Sequence, residues 1–95
     1  MQENKQTADF ILEVLKQRLA PESLELVDES HLHASHGPAK KGGHYVVRIV
    51  SDQFEGKMLI ERHQMIYQIL REELREDKIH ALSLKTLTPN EAKTQ

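Results

Sequence analysis

The sequence predicts an α+β fold: helix, strand, strand, helix, strand and a short terminal helix, with three strands in one mixed sheet and the two longer helices packed on one face. Three observations carry this. Apolar residues recur at helical spacing over residues 7–19 and 58–75, and alternate at strand spacing over 24–28, 44–51 and 79–87. Turn chemistry separates these stretches at Pro21, at Gly56 and at Asp77 with Lys78. A chain of 95 residues with 38% hydrophobic content builds one core and no more, so 1–95 reads as a single domain. Its ordered core spans about 7–91, with flexible ends.

In the first element Phe10, Ile11, Val14, Leu15 and Leu19 share a helical face, with Thr7 as N-cap and Asp9 in the first turn, where the helix dipole favours an acid. Pro21 stops the helix, because a residue before proline is pushed out of the α region. Leu24, Glu25, Leu26, Val27 and Asp28 then alternate as a half-buried strand. Residues 29–43 hold Gly37, Pro38, Gly42 and Gly43, two lysines and three of the six histidines, and read as a loop too long for a tight hairpin. From His44 to Ser51 β-branched residues dominate. Tyr45, Val47 and Ile49 point one way and His44, Val46, Arg48 and Val50 the other, which makes a second strand antiparallel to the first.

Phe54 to Lys57 form a turn into the longest helix, Met58 to Arg75, whose apolar face is expected to be Leu59, His63, Ile66, Tyr67, Leu70 and Leu74. Glu61, Arg62, Gln64, Gln68, Arg71, Glu72 and Arg75 are expected on its solvated side. A third strand covers 79–87, with His80, Leu82 and Leu84 on one side and Ile79, Ala81 and Ser83 on the other. It returns parallel to its neighbour, since a helical crossover reverses the chain twice. Thr88, Pro89 and Glu91 form a capping box that starts a short, fraying helix.

Composition excludes several functions. Without cysteine there is no disulfide, no thiolate nucleophile and no thiolate ligand, so any metal must be held by histidine or oxygen. With 13 Lys plus Arg against 15 Asp plus Glu, the formal charge of -2 gives no general grip on phosphate backbones, and nucleic acid would need a local patch. No run approaches the ~20 apolar residues of a membrane span and the polar start carries no apolar leader, so a cytoplasmic setting is expected. Neither a G-x-S-x-G elbow nor a glycine-rich phosphate loop is present. The residues favour a binding module over an enzyme.

Three stretches, LELVDES (24–30), DQFEGKMLIERHQMIY (52–67) and IHALSLKTLTPNE (79–91), resemble the BolA family, with FEGK, RH, EEL, IHAL and TPxE in the family's order. The resemblance covers nearly the whole chain from Phe10 onward. It implies a type II KH-like fold, αββαβα, and a non-enzymatic partner of monothiol glutaredoxins. Such pairs hold a two-iron two-sulfur cluster shared with the glutaredoxin and glutathione, and no cofactor is expected on the isolated chain. Some bacterial members are described as transcriptional regulators, which makes a DNA-binding regulator the alternative, with a helix-turn-helix-like surface around Phe54–Arg75.

By the same resemblance His80 is a cluster ligand, and a second ligand comes from the loop before the second strand. Here that ligand must be a histidine: His44, His33 and His36 are the candidates, with His31 beside them. His44 stands just before the second strand as in some members, and His33 sits where others carry a histidine after DES. Neutral imidazole suits iron, zinc, copper and nickel, and protonation near pH ~6.5 removes its lone pair, so histidine ligation implies an acid-labile cluster. Without the resemblance, His80 reads as a packed strand histidine and the loop histidines as solvated side chains. His63, on the apolar stripe, reads as structural. Lys57, Arg62, Lys40 and Lys41 are candidates for a modest patch against phosphates or an acidic partner, with a solvated face as the plain alternative. Duplex DNA and a weak homodimer are the remaining partner candidates.

Overall fold

The computed structural model describes residues 2–30 and 42–94. Helix α1 (Gln2–Leu19) leads into β1 (Ser23–Asp28) and β2 (Gly43–Val50). A single 3-10 turn (Asp52–Phe54) precedes α2 (Leu59–Ile69) and α3 (Arg71–Arg75), followed by β3 (Ile79–Leu87) and α4 (Pro89–Lys93). The sheet order is β1-β2-β3, with β1 antiparallel to β2 and β3 parallel to its neighbour, as expected, and that neighbour is β2. No helix among the described residues is long and apolar enough to cross a membrane.

One face of the sheet is covered. Tyr45, Val47 and Ile49 of β2 bury against Ile11, Leu15 and Leu19 of α1 and Ile66 and Leu70 of α2 and the turn after it, and Phe54 closes the end of this core. Helix α1 starts at Gln2, five residues before the expected cap, so Thr7 lies within it and is buried. Phe10 falls off the buried stripe and stands 45% exposed. The helix ends in an αL cap: Ala20 takes φ 42° and its N–H donates to the Lys16 carbonyl at 3.1 Å. Pro21 excludes the right-handed α region for Ala20, as expected, and the residue turns left-handed.

The expected single helix over 58–75 is two, joined at Leu70, whose ψ of 16° leaves helical geometry while its side chain buries completely. The buried stripe of α2 is also rotated. Arg62 and Ile66 face inward, whereas Leu59 is 62% and Tyr67 40% exposed. Arg62 can take a buried position because four of its five guanidinium N–H donors find acceptors locally, as described below.

Helix α3 closes with a Schellman motif: Lys78 N–H donates to the Glu73 carbonyl (2.9 Å), Asp77 N–H points to that of Leu74 (3.4 Å), and Asp77 carries φ 62°. The alternation predicted for β3 shifts by one residue at its start. Gly43 pairs with Ile79 but His44 pairs with Ala81, a bulge that leaves His80 without a β2 partner. Ile79 therefore buries, and from Leu82 onward the core side continues through Leu84 and Thr86. The predicted capping box is present at α4, with Glu91 N–H donating to Thr88 Oγ1 (3.1 Å) and Thr88 N–H to Glu91 Oε1 (2.9 Å).

Candidate functional site: a histidine pair on the open sheet face

Helices cover one side of the sheet, so alternate residues of β2 look the other way. His44, Val46 and Arg48 occupy this side, with Glu25 and Val27 on β1 and Ala81, Ser83 and Lys85 on β3. The bulge sets His80 at the edge of the same region, and its ring lies 5.0 Å from that of His44, centroid to centroid, at an interplanar angle of 46°. Two candidates far apart in the chain are thereby adjacent.

The backbone holds this pair closely. Gly42 carries φ 80°, and a Cβ there would lie 2.2 Å from the Asp77 carbonyl oxygen and 3.0 Å from the His80 nitrogen. A Cβ on Gly43 would run into the Tyr45 ring. The glycine pair lets β2 approach the turn that delivers His80, and Gly43 N–H donates to the Lys78 carbonyl at 3.1 Å. On the other side, the His44 carbonyl accepts from Glu29 N–H (2.7 Å) and its N–H donates to Ser30 Oγ (3.0 Å). Ser30 is oriented in turn by Asp28 Oδ1, which accepts from its N–H at 2.9 Å. Sequence reasoning placed the glycines in a loop and gave Ser30 no role. The adjacency of Gly42-Gly43 to a histidine was the available signal.

His33, His36, His31, Lys40 and Lys41 lie outside the described residues. Lys57 is exposed just before α2. Arg62 is not on a solvated face: it is 6% exposed, and its Nε donates to the Lys57 carbonyl (2.9 Å) and its Nη1 to the Thr86 carbonyl (3.1 Å). Its two terminal nitrogens also reach Glu91 Oε1 (2.7 Å) and Oε2 (3.2 Å), and its plane stands 5.9 Å above the Phe54 ring. The guanidinium is committed to tying α4 and β3 to α2. His63 is half-buried on α2, in keeping with a structural part.

Chemically, the pair offers two imidazole side chains as nitrogen donors. At a ring separation of 5.0 Å the two imidazoles are close enough that both would be able to hold one metal ion, to which they would supply nitrogen ligands. A histidine pair on one iron is the donor set of Rieske-type two-iron clusters. Among the described residues no group of three or more His, Cys, Asp or Glu side chains could hold a metal ion.

A family model described as BolA-like protein matches residues 15–91. The chain belongs to the BolA family. Its sequence is 44% identical over 81 residues to the protein named DNA-binding transcriptional regulator BolA of Escherichia coli, covering 85% of this chain and 74% of that one. It is 40% identical over 89 residues to "Protein BOLA1, chloroplastic" of Arabidopsis thaliana, covering 90% of this chain and 55% of that protein. Identity is 45% over 87 residues with "SufE-like protein 1, chloroplastic/mitochondrial" of the same plant, of which this BolA-like chain spans 23%. Among solved structures, the BolA domain of SufE1 from Arabidopsis thaliana is similar at a TM-score of 0.76 and 44% identity, over 86% of this chain and 91% of that one.

Proposed function

We propose that this BolA-like chain is a non-enzymatic binding module that pairs with a monothiol glutaredoxin and contributes His44 and His80 to a two-iron two-sulfur cluster, in iron-sulfur trafficking or iron sensing. The observation that carries the reading is the 5.0 Å approach of the two rings on a sheet face that no helix among the described residues covers. Two histidines cannot complete the coordination of a cluster, which favours a shared one: the partner's cysteine and glutathione supply thiolates that this chain lacks. His33 and His36 remain further ligand candidates of the same proposal. A cytoplasmic setting belongs to it too.

The test is anaerobic reconstitution of the chain with a monothiol glutaredoxin, glutathione, iron and sulfide. The reading expects a coloured heterodimer with two irons and two sulfides per complex, lost or altered in His80→Ala. A colourless mixture that elutes as two separate proteins contradicts it.

The second reading, a DNA-binding regulator, is favoured by the name of the Escherichia coli relative. Exposed Lys57 ahead of α2 is the residue it would use. The solvent face of α2 and α3 is mixed: Glu61 and Glu72 stand there with Gln64, Gln68, Arg71 and Arg75, and the acids oppose what those groove-reading side chains offer a duplex.

A further inference from the structure

The open sheet face carries an electrostatic arrangement that the fold does not need. Arg48 on β2 sits directly opposite Lys85 on β3, and both point away from the helices. Like charges directly opposite on one sheet face destabilise it. Glu25 faces Arg48 from β1, yet neither Arg48 nor Lys85 forms an ion pair among the described residues. One step along the strands, toward the histidines, the row is apolar and small: Val27, Val46 and Ser83 in register, then His44 beside Ala81. Val27 is 54% exposed.

We infer that this face is the docking surface for the protein that completes the histidine site, and that the partner meets it with a small apolar patch bordered by carboxylates opposite Arg48 and Lys85. The inference rests on the His44–His80 reading, because a partner donating ligands to that pair must lie over the same side of the sheet. Three features choose the occupant. Two adjacent cations that face a single carboxylate, Glu25, and form no ion pair with it call for further anions. The valine row beside them is the desolvated centre that protein interfaces use and that a phosphate backbone does not. Finally, two cations on a chain of net charge -2 give little counter-ion release from a duplex. Ala81 and Ser83 add no bulk beside the rings, so a partner backbone can approach closely.

Lys85→Glu separates docking from folding. It replaces a like-charge pair by opposite charges and places Arg48 between two carboxylates, that of Glu25 and the introduced one. The thermal midpoint should therefore hold or rise, while affinity for a partner with carboxylates there should fall. Val27→Glu puts an acid in the apolar row at an exposed edge-strand position. The probe is a monothiol glutaredoxin with glutathione, iron and sulfide, read by sedimentation and visible absorption. We expect both variants to weaken association about tenfold or more with an unchanged cluster spectrum in the residual complex, and added salt to weaken the wild-type complex more than that of Lys85→Glu. A wild-type complex with its cluster that both variants form equally well overturns the docking face and leaves the histidine reading intact. No cluster-bearing complex with wild type overturns both. Loss in Lys85→Glu of self-association or of duplex-DNA binding, with glutaredoxin binding unchanged, assigns the face to another occupant and overturns the inference.

Discussion

The Arg62 guanidinium meets both carboxylate oxygens of Glu91, at 2.7 and 3.2 Å, and joins residues 29 positions apart into one lock between α2 and α4. Because Arg62 also feeds the carbonyls of Lys57 and Thr86, its removal strands three acceptors around a buried site. Arg62→Ala is expected to cost on the order of 3 kcal/mol in urea unfolding. Loss under about 0.5 kcal/mol, the range of ordinary surface changes, would put Arg62 back on a solvated face.

Glu91 makes this lock pH-dependent. The hydrogen bond from Arg62 first, then that from the Thr88 backbone, lower its carboxyl from the ordinary 4.5 to about 2. A carboxylate whose pKa is depressed by folding stabilises the native state fully above its unfolded value. That stabilisation fades as pH falls from about 4.5 toward 2. Wild type should therefore exceed Glu91→Gln in thermal midpoint at neutral pH, and the gap should close across this window. A gap unchanged down to pH 2 contradicts the assignment.

Two glycines with left-handed backbones should respond differently to alanine. Gly56, at φ 74°, has open space around its missing Cβ, so Gly56→Ala costs only what the backbone conformation demands, about 1 kcal/mol. Gly42→Ala adds a collision with the Asp77 carbonyl at 2.2 Å and should cost clearly more, while displacing His80 from His44. Chemical denaturation orders the two, and imidazole proton shifts report the displacement.

Thr86 places its Oγ1 in the core with no hydrogen-bond partner among the described residues. Replacing the hydroxyl with a methyl removes that burden while the carbonyl that serves Arg62 stays in place. Thr86→Val is expected to be neutral or to stabilise by about 1 kcal/mol. A loss beyond that range shows that the hydroxyl is satisfied.

The element order, the antiparallel β1–β2 pair, the parallel sense of β3 and the α4 cap were legible in the sequence because each rests on local periodicity, turn chemistry or short connections. The features that build the site were not. His80 and Leu82 share a simple alternating pattern, but the bulge breaks it, and a bulge follows from how close Gly42 lets β2 come to Asp77. Arg62 looked solvated because arginine on an amphipathic helix usually is. Its burial depends on Glu91, whose capping role was visible while its tertiary partner was not. The approach of His44 to His80 belongs to the parallel pairing of β2 and β3, and no spacing along the chain encodes that distance.

Joint action of His44 and His80 on one cluster is the central claim. Visible circular dichroism of the anaerobic glutaredoxin complex tests it most directly, comparing wild type with His44→Ala, His80→Ala and the pair combined, and with His33→Ala as the loop alternative. We expect a cluster spectrum in wild type that changes in each single variant, with the double variant no worse than the more severe single one. A spectrum that ignores His44 and follows His33 would contradict it.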